Sequence, residues 1–296
     1  MKTFMALAMA AALLGGCSKQ PSGDVGKVPV KFNAGISAVI TKSVSTAPMG
    51  NGVKADILPF EQGSDVTVSL PVIEGGRSYA CDAGGNLTGD PMILDTRAYD
   101  FYSVSENTTA APALSFTRGI GRVTNGVDYL WAKTSKAISS TDSQVTLVYT
   151  HSAVKITVEV VAESGSGLVL TNGKTTLSFT PSDDALATIK LADGTIAQAS
   201  AVGASVEMTM NGHSGSSIMI PLAANIGIDF SIAAQATLNG TVIPCNYVSR
   251  ISAPSGGFLA GKEYRYTARI SQSQVMFSGA QVTDWEVVDN DLPLED

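Results

Sequence analysis

Charge is scarce in this chain, and its balance is acidic. Its 296 residues carry 19 Lys and Arg against 26 Asp and Glu, a formal net charge of −7. No basic cluster is present to neutralise phosphates, which argues against nucleic acid as a partner. Three cysteines occur, with no CxxC and no Cys/His cluster, so zinc and redox chemistry lack their usual ligands and neither a metal nor a cofactor is expected. With two histidines, His151 and His213, any imidazole-based mechanism must use one of them. Beyond residue 17 no apolar run approaches the roughly 20 residues that span a bilayer. A 3.6-residue apolar period of helix length is also missing there; the Ala-rich stretch from Leu186 to Ala201 is broken by Asp193-Gly194.

The N-terminus is the exception to this uniformity. Lys2 supplies a positive start, Phe4 to Leu14 an uncharged and mostly apolar run, and Leu14-Gly15-Gly16 small residues before Cys17. That order reads as a lipoprotein signal (1–17), with the Cys17 thiol taking the lipid. Several acyl chains, each burying CH₂ groups at about 0.8 kcal/mol apiece, hold a protein on a membrane far better than one. Residues 18–27 (SKQPSGDVGK) are polar, contain proline and glycine, and suit a flexible tether.

From Val28 the dominant signal is alternation. Val154, Ile156, Val158 and Val160 interleave with Lys155, Thr157 and Glu159; Ile228 to Leu238 and Tyr264 to Ile270 repeat the pattern. In an extended strand this places apolar groups on one face and polar groups on the other. Asn172-Gly173, Asp193-Gly194, Asn211-Gly212 and Asn239-Gly240 offer the left-handed backbone that tight hairpins require. Many short strands spaced by turns predict an all-β chain of tandem β-sandwiches. Residues 105 to 143, rich in Ser, Thr, Ala and Gly, show little alternation, and a regular strand series begins at Val145. The junction is therefore expected near residue 140, with an N-terminal sandwich at 28–140 and a C-terminal one at 141–296.

Catalytic patterns are weak. Gly215-Ser216-Ser217 lacks the second glycine and the strand-to-helix setting of a nucleophile elbow. Gly119-Ile120-Gly121 and Gly165-Ser166-Gly167 read as turns rather than phosphate cradles. Asp183-Asp184 and Asp289-Asn290-Asp291 lack the EF-hand spacing and its closing glutamate, and read as solvated loop acids. His151, between two expected strands, reads as a hydrogen-bonded structural residue, and His213, in a turn, as exposed. Trp131 and Trp285 are the candidates for a sugar platform, with core packing the stronger expectation. Whether Cys81 and Cys245 meet is left open by their separation. No catalytic residue is assigned, and the chain is read as a binding or structural protein rather than an enzyme.

Several segments in order resemble the fimbrillin family of Mfa-like lipoproteins, the type V pilus subunits. They are the Cys17 lipobox, Val30-Lys31-Phe32-Asn33-Ala34-Gly35-Ile36, Tyr99-Asp100-Phe101-Tyr102, Asp128-Tyr129-Leu130-Trp131-Ala132, and Val145 to His151 leading to Val154-Lys155-Ile156. Ile220-Pro221, Phe258 to Tyr264 and Val282-Thr283-Asp284-Trp285 complete the series. The resemblance implies two transthyretin-like Greek-key sandwiches and export as an outer-membrane lipoprotein at the cell surface or in a fimbrium. It further implies proteolytic removal of the tether and first strand, opening a groove that another subunit fills with its own strand. Here that strand would be built around Val30, Phe32 and Ile36, and the cut would follow Lys42, since Thr41-Lys42 stands where family members often carry Thr-Arg. The chain also lacks a W-x-x-G-D segment around Leu58 to Leu70, has Ser103-Val104-Ser105 where a proline often follows the aromatic strand, and runs only 11 residues past Trp285.

The leading expectation is thus a fimbrial subunit or adhesin whose partners are other pilus subunits, the outer membrane through Cys17, and a host protein or glycan. The alternative is a surface lipoprotein that binds glycans for uptake and does not polymerise. A two-carboxylate glycosidase ranks third, for want of a candidate pair.

Overall fold

A computed structural model describes residues 26–40 and 43–285, and side chains outside 38–46 within them. These residues form strands and turns with no helix. The first ten strands are β1 (Lys27–Ile40), β2 (Ser43–Pro48), β3 (Lys54–Glu61), β4 (Arg77–Cys81), β5 (Asn86–Asp95), β6 (Ala98–Ser105), β7 (Phe116–Thr117), β8 (Ile120–Arg122), β9 (Leu130–Ala137) and β10 (Gln144–His151). The remainder are β11 (Val154–Ala162), β12 (Leu168–Phe179), β13 (Thr188–Lys190), β14 (Val206–Glu207), β15 (Thr209–Asn211), β16 (Ser214–Met219), β17 (Gly227–Leu238), β18 (Thr241–Ser252), β19 (Lys262–Ile270), β20 (Val275–Phe277) and β21 (Gln281–Asp284).

The first sheet runs β10-β9-β6-β3-β4-β5-β1-β2, and β1 also pairs with β10, so the ladder closes on itself. Its inward side chains, among them Phe32, Ile36, Ile57, Met92, Phe101, Leu130, Leu147 and Tyr149, make one core. The second half stacks a sheet of β15-β16-β11-β19-β20, with β21 also on β19, against a sheet of β14-β12-β17-β18. Alternation on β11, β17 and β19 sends Val154, Ile156, Phe230, Ile232, Tyr266 and Ala268 into the core between them.

The change of sheet falls between His151 and Val154 rather than near residue 140. β10, expected to open the second sandwich, pairs with β9 and β1 of the first. The Ser/Thr-rich stretch that suggested a junction contains β9, whose Leu130 and Ala132 are buried and whose length pairs with β6. Cross-strand pairing overrides its weak pattern. Two further local differences have clear causes. Asn172-Gly173 lies inside β12 as a bulge, because the uninterrupted β17 pairs with both its flanks and the register jumps between Leu170 and Thr175. Thr157 is buried, not wet, since it donates a hydrogen bond to buried Glu263 at 2.7 Å. Asn239-Gly240 is the expected two-residue turn, with both φ angles positive at 51° and 80°.

A third sheet, β13-β8-β7, joins the halves: β8 comes from the N-terminal part and β13 from the C-terminal part. It lies with a third core in which Phe60, Tyr102 and Tyr129 meet Ile189, Leu191 and Ile220.

Candidate functional site

Strand β1 occupies the most informative position in the first half. It lies parallel to β10 from Lys31↔Gln144 to Ile36↔Tyr149 and antiparallel to β5 on its other side. It is therefore a central strand, although it is the first element among the described residues. Val30, Phe32, Ala34 and Ile36 point inward at i, i+2 spacing, with Phe32 2% and Ile36 1% exposed. The Phe32 ring packs on Tyr79 at 5.2 Å and edge-on to Phe101 at 5.6 Å between centroids. On the outer face Gln144 donates to the Asn33 side-chain oxygen at 2.9 Å.

The three strand residues singled out from the sequence are thus brought together on one buried face. Ala34 was omitted although the same alternation marks it. The groove walls supplied by Tyr79, Phe101 and Tyr149 carried no local signal, because they depend on which strands become neighbours. Fully burying each large side chain is worth about 1.5–3 kcal/mol, so β1 contributes several kcal/mol beyond its hydrogen-bond ladders to β10, β5 and β2. Without it, β5 and β10 would both become open edges and the cleft beneath Val30, Phe32, Ala34 and Ile36 would be empty.

Past Ile36 the geometry changes. Pairing with β10 stops at Tyr149, while β1 and β2 continue against each other to Ile40↔Ser43. Thr41 and Lys42 join those paired ends in sequence. Lys42 itself, like Cys17 and Asp289-Asn290-Asp291, lies outside the described residues.

The remaining candidates are held in packing. His151 is buried, with Nδ1 2.7 Å from Asp128 Oδ1, and its ring stacks on Trp285 at 4.1 Å and 8°. Asp128 Oδ2 also accepts a hydrogen bond from Asn107 at 2.8 Å. Trp131 donates its indole N–H to the Leu191 carbonyl at 2.8 Å and lies against Gly194. Both indoles are therefore engaged within the protein. His213 is half-buried rather than exposed, its Nδ1 2.8 Å from the Thr175 hydroxyl. Asp184 accepts the Asn125 backbone N–H and Asp183 that of Ala185, at 2.7 and 3.0 Å. Gly215 is buried in β16 against Met210, which removes any elbow reading. Cys81 and Cys245 are free thiols in separate cores.

Comparison with known proteins agrees with this architecture. A Bacteroides uniformis protein named as a candidate fimbrium subunit, Fim1C, is 22% identical over 286 residues, covering 94% of this chain and 92% of that one. A candidate cell adhesion protein of known structure from Bacteroides uniformis aligns with TM-score 0.61 at 20% identity, over 88% of this chain and 99% of its own. Another from Bacteroides ovatus gives TM-score 0.63 at 15% identity, over 89% and 100%. At these identities the two structures speak to the fold. The fimbrillin-like family model matches residues 60–285. With that match spanning most of the length, from the end of β3 through the last described strand, the chain belongs to the fimbrillin-like family.

Proposed function

We propose that this protein is a fimbrial subunit exported as an outer-membrane lipoprotein through Cys17 and assembled by strand exchange for cell adhesion. In this reading a trypsin-like protease cuts after Lys42, the tether and β1 leave, and a strand of another subunit takes the place of β1. The work done is non-covalent: backbone N–H and C=O groups of β5 and β10 pair with the incoming strand, and its alternate side chains refill the core. One observation carries the reading. The first strand among the described residues is a central strand of a closed sheet, and its C-terminal end lies only two residues from β2, so one cut would detach it. The glycan-uptake alternative draws no support from Trp131 and Trp285, whose rings are committed to internal partners.

Limited trypsin treatment tests the proposal, read by intact mass, size exclusion and negative-stain microscopy. The expected product begins at Ser43 and multimerises, whereas the uncut chain stays monomeric. A product that begins at Ser43, has lost β1 and remains monomeric would overturn it.

A further inference from the structure

Away from the β1 cleft, on the outer face of β3 and β6, lies an open groove of about 550 Å³. That volume is in the range of sites that enclose small ligands or short peptide segments. Leu58 and Phe60 from β3 and Val104 from β6 form its floor, Leu114 and Leu191 contribute to its walls, and the segment 62–76 borders it. In that segment Asp65 to Ser69 make a turn, the Val68 and Ser69 N–H groups donating to the Asp65 carbonyl at 3.2 and 2.8 Å, and Val66 is buried. Val68 and Leu70 stand 80% and 85% exposed. Two bare apolar side chains beside an apolar groove are an unusual surface for a protein in water.

Both signs of charge line the groove. Asp56 and Glu74 line it beside Leu58, and neither has an ion-pair partner among the described residues. Burial, with a smaller contribution from nearby Glu106, pushes the Asp56 carboxyl up, although the Ser78 hydroxyl donates to it. Glu106 itself is occupied, accepting the backbone N–H groups of Ala113 and Leu114 at 3.0 and 2.9 Å. Arg118 lines the end where Gly119 packs on Val66. A cation brought to Asp56 would relieve both its repulsion from Glu106 and its burial as an unpaired charge. A fatty acid would set its own carboxylate against Asp56 and Glu74, and a neutral sugar would leave the aliphatic floor unfilled.

We propose that this groove binds an extended apolar segment of a partner protein bearing a lysine or arginine. Its cation sits at Asp56 and Glu74, and its alternate side chains fill the cavity and lie along Leu70. This site is separate from the β1 cleft, which faces the opposite side of the same sheet, and it does not depend on strand exchange.

The test uses the uncut full-length chain and two dansylated hexapeptide amides, KVLVKV and EVLVEV, followed by fluorescence anisotropy. The basic peptide is expected to bind saturably and roughly tenfold or more tighter than the acidic one, a difference of about 1.4 kcal/mol. Its affinity should fall several-fold between low salt and about 0.5 M salt, as screening weakens the ion pairs. Glu74→Lys and Leu70→Ser alter exposed positions and leave the core intact, and each should weaken binding several-fold with an unchanged circular dichroism spectrum. Absence of binding, equal binding of both peptides, or undiminished binding by both variants would overturn the proposal.

Discussion

At Gly194 the indole of Trp131 lies where a β-carbon would go. An added methyl would come within 2.5 Å of the ring, and the residue has φ +70°. Gly194→Ala is therefore expected to cost about 1–3 kcal/mol from overpacking, with left-handed backbone strain added. Urea unfolding followed by tryptophan fluorescence measures it. In the first core, Phe32→Ala removes the ring seated on Tyr79 and Phe101, and the expected loss is about 3–5 kcal/mol by the same measurement. Ionisable groups in that core set a pH limit. Burial pushes the Cys81 thiol up to about 11 from 9.0 and the Tyr79 phenol up to about 12 from 10.0. Below pH 9 both states of the chain keep these protons; above it the unfolded chain loses them first. Native stability should therefore decline as pH rises from about 9 through the folded values, seen as a lower melting temperature at pH 10.5 than at pH 8.

Elements show how much an isolated pattern can say. Alternation and Asn-Gly turns identify β17 and β18 as a hairpin, and the pair forms as read. The same logic at Asn172-Gly173 points to a hairpin where the chain makes a bulge, because a turn signal does not reveal that one long strand will pair with both of its flanks. Strand β1 carries the sharper case. Val30, Phe32 and Ile36 are legible as an inward face, but its central place between β5 and β10 is not. If exchange of β1 drives assembly, a chain beginning at Ser43 should multimerise, and a peptide of residues 27–40 should return it to a monomer. The same peptide with Phe32→Asp and Ile36→Asp should fail, since two carboxylates would enter an apolar cleft. Size exclusion with and without each peptide checks this.

For the whole molecule, the β8–β13 pairing and the core shared by Phe60, Tyr102, Ile189, Leu191 and Ile220 join the two halves. Trp131 on Leu191 and the Asn125 amide on Ser182 tie the same junction. Calorimetry should accordingly show one cooperative transition. Ile189→Ala should cost about 2–5 kcal/mol and separate the transition into two, because it removes a fully buried side chain from the contact that couples them.

The sequence by itself determined the all-β class, the inward face of each alternating strand, and most turns. Side-chain alternation and turn preferences are local properties, fixed by a residue and its near neighbours. Tertiary structure alone decided that the first strand closes the sheet on β10, with Asn33 and Gln144 meeting across 111 residues. It also placed the change of sheet after His151 and set Asp56, Glu74 and Leu70 around one groove. Alternation states which face of a strand is buried, but not which distant strand will lie beside it; that choice belongs to the packing of the whole chain.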